Sequence, residues 1–190
     1  KVDGRPVTDD EVKEMVTLVM QGGFDTTGPA IANALIHLDR NHDARQRLMN
    51  EPDLMASAIE EFLRLEAPQL ALARTTNVDC EIGGQQIKAG DKVLLVWASG
   101  NRDEDVFENP NELQLHRFPN RHMTFGLGAH RCLGSNLARR QIELALKGVL
   151  QRLPDYEIDH DSTVRPETVG IAYGVYALPA RFTPAPRWYR

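Results

Sequence analysis

Apolar residues recur at Val12, Met15, Val16, Val19 and Met20 with polar residues between them, and helical spacing returns at Ile31, Leu35 and Leu38. The run "VTDDEVKEMVTLVM" begins with a start signal: Thr8 is a plausible N-cap and Glu11, three residues on, completes a capping box. One helix over residues 9–38 would be about 45 Å long, and it would carry "GGFDTTGP" in its middle. Shorter helices are expected over 42–50 and 53–65, the latter stopped before Pro68. The pattern changes over 72–97, where β-branched residues, a Gly83-Gly84 hairpin signal and an apolar run from Val93 to Trp97 predict strands. Residues 99–121 are polar, with Pro110 and Pro119, and read as irregular; a loop of that length is uncommon and usually functional. A further helix over 132–153 would bury Leu133, Leu137, Ile142, Leu146, Val149 and Leu153, and "ETVGIAYGVYALPARF" reads as a glycine-broken hairpin. The expected fold is mainly α with small β-sheets (α+β). With no internal repeat or linker, residues 1–190 read as a single unit: helical over 1–68, strand-rich over 72–97, irregular over 99–131, helical over 132–153, and a terminal hairpin and tail over 154–190.

Composition narrows the function. At 190 residues the chain can build a substantial core, and 42% hydrophobic with 26% charged residues is ordinary for a globular protein. A net charge of -5 argues against general nucleic-acid binding. No apolar run approaches the roughly 20 residues that span a bilayer, and "KVDGRPVTDDEV" has no signal-peptide core, so a cytoplasmic location is expected. The chain starts without Met on what looks like the lead-in to a helix, as a piece of something longer would. Two cysteines, Cys80 and Cys132, are too few for a disulfide framework and fit a reducing compartment. Cys80, in a strand-like run, reads as an inert thiol.

Cys132 stands in "FGLGAHRCLG", at the expected amino end of a helix, where the macrodipole and free N–H groups favour a thiolate. Gly126, Gly128 and Gly134 allow sharp turns and the close approach of a flat, bulky ligand to the sulfur. A soft anionic ligand on a glycine-rich loop suits iron. Three other readings stand beside this one. The cysteine could be structural within a glycine-rich turn; zinc with His130 or His122 would want four recognisable ligands; and a Cys-His nucleophile would want an orienting group and an oxyanion hole.

The decapeptide resembles the haem-ligand signature of the cytochrome P-450 family, Phe-x-x-Gly-x-His-x-Cys-x-Gly, with Phe125, Gly128, His130, Cys132 and Gly134 at every defined place. The resemblance implies the carboxyl-terminal part of that fold, a long distal helix and a proximal cysteine-loop helix sandwiching haem b (iron protoporphyrin IX), with Cys132 as axial ligand. Phe125, Gly126 and Gly134 would then shape the cofactor site, while Arg74 and His130, with His122 a weaker candidate, would face the haem propionates. "EEFLR" contains Glu61-x-x-Arg64, one helical turn apart. In the family such a pair is locked to an arginine of the irregular segment, for which Arg117 in "LQLHRF" is the candidate, although Leu113 stands where the family often has phenylalanine. A guanidinium can hold a carboxylate and local carbonyls together. In isolation "GGFDTT" reads as a helix break or cap; in the resembling family it is the oxygen-activating part of the distal helix, with Asp25 and Thr26 as an acid-alcohol pair. If the helix continues through Pro29, the missing N–H leaves the Asp25 carbonyl free beside that pair.

What the resemblance implies as function is a haem-thiolate monooxygenase that activates dioxygen to oxidise a small or medium, largely apolar substrate. Gly22, Gly23, Leu70, Leu72, Ala172 and Val175 would contact that substrate. Electrons would come from a ferredoxin or flavodoxin type donor, since no flavin or dinucleotide fingerprint is present, docking at Arg121, Arg131, Arg139 and Arg140. The resemblance covers only the carboxyl-terminal half of a usual family member, so an amino-terminal half is expected as a further partner. An incomplete, non-catalytic scaffold or interaction module is the alternative. Peroxide-driven chemistry is another, less favoured because of the acid-alcohol pair.

Overall fold

The computed structural model describes residues 4–167 and 173–184. Among the described residues six α-helices run in chain order: α1 (Asp9–Phe24), α2 (Thr27–Arg40), α3 (His42–Asn50), α4 (Met55–Leu65), the short α5 (Trp97–Gly100) and α6 (Ser135–Arg152). The strands make three two-stranded antiparallel sheets: β1 (Leu72–Thr75) with β4 (Lys92–Leu95), β2 (Cys80–Ile82) with β3 (Gln85–Ile87), and β5 (Glu157–Ile158) with β6 (Ala180–Arg181). No described helix is long and apolar enough to cross a membrane.

Local signals explain most boundaries. The Thr8 hydroxyl accepts the Glu11 N–H while the Glu11 carboxylate accepts the Thr8 N–H, so the capping box closes at both ends. Asn41 caps α3 by accepting the Ala44 N–H at 3.0 Å. Gly83 and Gly84, with φ of 56° and 80°, make the tight turn between β2 and β3. The strand expected to reach Trp97 ends at Leu95, because the chain enters α5 at Trp97 itself.

The single long helix expected over 9–38 is two. It breaks at Asp25 and Thr26, where the Thr26 hydroxyl donates back to the Gly22 carbonyl at 2.9 Å and competes with the backbone ladder. Pro29 therefore lies in the first turn of α2, where a backbone N–H has no partner within the helix and its absence removes no helical hydrogen bond. The free Asp25 carbonyl expected from an unbroken helix loses its basis.

The core lies where α2 packs against α4 and α6. Ala34, Ile36 and Leu38 of α2, Ala58, Ile59 and Phe62 of α4, and Ile142, Leu146 and Leu150 of α6 are buried there. The α6 stripe begins later than its periodicity suggests, for Leu133 and Leu137 are exposed. Both stand at the cysteine-loop end, outside this packed layer. In α1, none of the residues is buried, and its apolar positions, including Met15, Val16 and Val19, face no cover among the described residues.

A charged centre is set into this apolar layer. Glu61 and Arg64 of α4 are both fully buried and pair bidentately at 2.8 Å. Arg117 adds its Nε at 3.1 Å from each Glu61 oxygen, and the Gln114 N–H and Asn120 Nδ2 also donate to Glu61. The two guanidinium groups then collect carbonyls of the irregular segment, Arg64 those of Asn101, Pro110 and Glu112, and Arg117 those of Glu108 and Asn109. The Phe107 ring lies beneath both, 5.1 Å from Arg64 and 6.0 Å from Arg117. Residues 101–117 thus keep a fixed course without regular structure, because backbone groups that lack a ladder are satisfied by two side chains.

Removing one member of such a buried cluster leaves the others uncompensated, at a cost of about 3–5 kcal/mol. Arg117→Met is therefore expected to lower the free energy of urea unfolding by that amount; a change under about 1 kcal/mol would show that the cluster is not stabilising the segment.

Candidate functional site

The decapeptide forms a closed loop. The Cys132 N–H donates to the Phe125 carbonyl at 2.8 Å, and the Gly126 N–H to the Met123 carbonyl at 2.8 Å. Gly126 and Gly128 take φ of 67° and 68°, a region costly for any side chain. Gly134 does not, with φ of -81°, and a Cβ there would lie in ordinary contact with the Cys132 sulfur at 3.9 Å. Residues 128–130 make one 3-10 turn, and α6 starts just after the cysteine, with the Ser135 N–H 3.4 Å from the Cys132 carbonyl. The thiol is exposed, as are Leu127, Leu133 and His130. An accessible thiol just before a helix, glycines without side chains beside it and exposed Leu127 and Leu133 together fit a planar apolar group with a metal at its centre. Among the described residues, no three His, Cys, Asp or Glu side chains converge to hold a bare metal ion.

The entry to this loop is held from two sides. Asn101, fully buried, accepts the Met123 N–H at 2.6 Å and donates to the Thr124 hydroxyl at 2.8 Å, which donates in turn to the Leu63 carbonyl of α4. On the other side Glu60 holds Arg139 of α6 through Nε at 2.6 Å and Nη2 at 2.8 Å, and meets His122 Nε2 at 2.9 Å. The Arg139 guanidinium lies over the Phe125 ring, 4.4 Å from its centre. Burial alone would raise the Glu60 pKa, yet the bonds from Arg139 and His122 outweigh it and hold the group at about 2. In Glu61 too, burial opposes ionisation, and the bonds from Arg64, Gln114 and Arg117 still lower its pKa.

Neither Asn101 nor Glu60 stood out in sequence. Asn101 is one of four asparagines in the polar stretch 99–121, and the partner of Glu60 is 79 residues away. Two expectations also change here. His122 is a poor partner for an acidic group, because its ring is buried against Glu60 and the Thr124 N–H. Arg139 leaves the basic docking patch for the same reason, while Arg140 pairs with Glu143 at 2.7 Å. Arg121 and Arg131 are exposed and have no carboxylate partner among the described residues.

Opposite elements bring other expected site residues together. Asp25 is exposed and Thr26 half-buried at the α1–α2 break, with Gly22 and Gly23 exposed in the last turn of α1. Gly174 is buried against α2, where an added Cβ would stand only 2.7 Å from Pro29 Cγ, and the Tyr173 N–H donates to the Pro68 carbonyl at 2.8 Å. The segment bearing Leu70 and Leu72, the stretch with Val175, and the start of α2 thereby meet; Val175 packs on the core edge. Ala172, expected beside them, lies outside the described residues. Arg74, on β1 opposite Val93, is exposed, and among the described residues its side chain bonds only the neighbouring Ala73 carbonyl.

Comparison with known proteins gives concordant matches. A family model described as Cytochrome P450 matches residues 1–180. The Steroid C26-monooxygenase of Mycobacterium tuberculosis (strain CDC 1551 / Oshkosh) is 38% identical over 187 residues, covering 98% of this chain and 50% of that protein. Cytochrome P450-terp of a Pseudomonas species is 36% identical over 185 residues, 97% of this chain and 43% of that one. Among solved structures, CYP109E1 from Bacillus megaterium in complex with testosterone superimposes with a TM-score of 0.91 at 34% identity, over 96% of this chain and 51% of that one. The chain spans about half the length of the curated relatives it matches.

The Glu60 cluster makes a pH prediction. A carboxyl whose folded pKa is depressed contributes stability in full above its usual value of 4.5 and loses it as pH falls towards about 2. Glu60→Gln is expected to lower Tm at pH 7, and the gap between parent and variant should narrow steadily from about pH 5 to pH 2; a gap constant over that range would contradict the assignment.

Proposed function

This chain belongs to the cytochrome P450 family, and from that premise we propose that it is the haem-ligating part of a monooxygenase that oxidises a small or medium, largely apolar molecule. The observation that carries the reading is Cys132, exposed at the start of α6 on a loop whose shape demands glycine at 126 and 128. Haem b is the group that fits, and when bound it would supply reductive cleavage of dioxygen, one oxygen atom entering the substrate and the other leaving as water with two electrons and two protons.

The chain's own residues would divide the remaining work. Cys132, exposed just before α6, would hold the iron through its sulfur and push electron density towards it. Phe125, Gly126 and Gly134 would shape the surface beside the sulfur, and Arg74 and His130, both exposed, would receive the propionates. At the α1–α2 break, the Thr26 hydroxyl donates its hydrogen bond to the Gly22 carbonyl, which leaves its oxygen lone pairs to accept a hydrogen bond from a proton-bearing group. Asp25, exposed next to it, would relay protons from solvent. Gly22, Gly23, Leu70, Leu72 and Val175, with Ala172, would contact the substrate. The names of two relatives, a steroid monooxygenase and a testosterone complex, suit a rigid apolar molecule of that size. Arg121 and Arg131 would receive an acidic ferredoxin or flavodoxin.

The apolar face of α1 requires cover, and in this reading the remaining half of the protein provides it and completes the substrate pocket. The test is the carbon-monoxide difference spectrum of the dithionite-reduced complete protein, with the polypeptides in the sample identified by mass. A strongly red-shifted Soret band that disappears in Cys132→Ser is the expected result; folded, complete protein with no such band would overturn the reading.

A further inference from the structure

We infer that Glu60 tunes the reduction potential of the iron held by Cys132, by neutralising Arg139. The inference rests on the proposed haem-thiolate function and concerns residues that touch neither the sulfur nor the substrate.

Glu60 and Arg139 form a closed bidentate pair, with Nε at 2.6 Å and Nη2 at 2.8 Å. The third member, His122, needs no extra proton to fit. Its Nδ1 accepts the Thr124 N–H at 3.3 Å, which leaves Nε2–H to donate to Glu60 at 2.9 Å, so the neutral ring satisfies both sides. The formal charge of the cluster is then that of one carboxylate and one guanidinium, which is zero.

Arg139 is also coupled to the cysteine loop. Its guanidinium covers the ring of Phe125, whose carbonyl accepts the Cys132 N–H at 2.8 Å. Its Nη1 reaches the Ser135 carbonyl at 3.4 Å, and the Ser135 N–H points to the Cys132 carbonyl.

Adding an electron to a thiolate-bound iron adds negative charge at the site, so an uncompensated cation nearby favours the reduced form and an uncompensated anion opposes it. With Glu60 in place the guanidinium is held rigid and its field is largely cancelled. Without Glu60 the same guanidinium would act at full strength on the sulfur, and without Arg139 the carboxylate would. A structural tie alone would not depend on the sign of the charge removed.

The experiment compares midpoint potentials by spectroelectrochemistry in the complete haem-loaded protein, after the carbon-monoxide spectrum has established thiolate ligation. Glu60→Gln should raise the potential, Arg139→Gln should lower it, and the double variant should return close to the parent. Glu60→Asp, which keeps the charge and changes the reach, should stay near the parent. Potentials that do not move, or single variants that move in the same direction, would overturn the inference while leaving the haem-thiolate reading intact. A parent without the red-shifted band would overturn both. Should Glu60→Gln fail to hold haem, Arg139→Gln alone decides, since an unchanged or raised potential contradicts the proposed sign.

Discussion

The Glu61 carboxylate, sealed from solvent, accepts hydrogen bonds from two arginines, an asparagine and a backbone amide, and the rest of the site depends on that convergence. A buried carboxylate is costly unless every lone pair is used. Here the requirement is met by drawing Arg64 of α4 and Arg117 of the irregular segment onto one group, and their remaining donors are spent on five carbonyls of residues 101–112. A segment with almost no regular hydrogen bonding thereby acquires one path. That path matters because it leads from α5 to the cysteine loop.

Asn101 is the junction between the two. Its backbone carbonyl belongs to the Arg64 set, while its side chain grips Met123 and Thr124 at the mouth of the loop. From there Gly126 and Gly128 turn the chain and Cys132 closes it against Phe125. Neighbouring Glu60 performs a parallel task on the other face of α4, through Arg139 and His122. Adjacent carboxylates on one helix thus serve separate ends, one fixing the approach to the loop and the other balancing charge beside it. Preorganisation of this kind keeps the cysteine loop in one shape without depending on a bound group to form it.

Much of this was legible where the signal is local. The capping box at Thr8, the span of α3, the Gly83-Gly84 turn and the glycines of the cysteine loop follow from residue chemistry at fixed spacing, and the structure carries them. Glu61 and Arg64 are one turn apart on a helix, which any helical reading would pair. Features set by distant partners were not legible. Periodicity identified the apolar face of α1 but not what lies against it, and the same method placed Leu133 and Leu137 in a core that ends before them. The break at Asp25 and Thr26 arises from one hydroxyl bonding back to Gly22, a competition that periodicity does not register. Pro29, taken as a backbone effect, proves to be a packing surface for Gly174, far away in the chain.

The central claim is that the protein itself, through the Glu61 convergence and Asn101, holds the Cys132 loop in shape. Amide hydrogen exchange in the complete, cofactor-free protein measures this most directly, at Gln114, Met123 and Cys132, whose N–H groups bond Glu61, Asn101 and the Phe125 carbonyl. Slow exchange at all three, at rates close to those of the buried α4 amides, is the expected result. Exchange at the rate of exposed chain while α4 stays protected would contradict it, and would mean that the loop takes its shape only when the cofactor arrives.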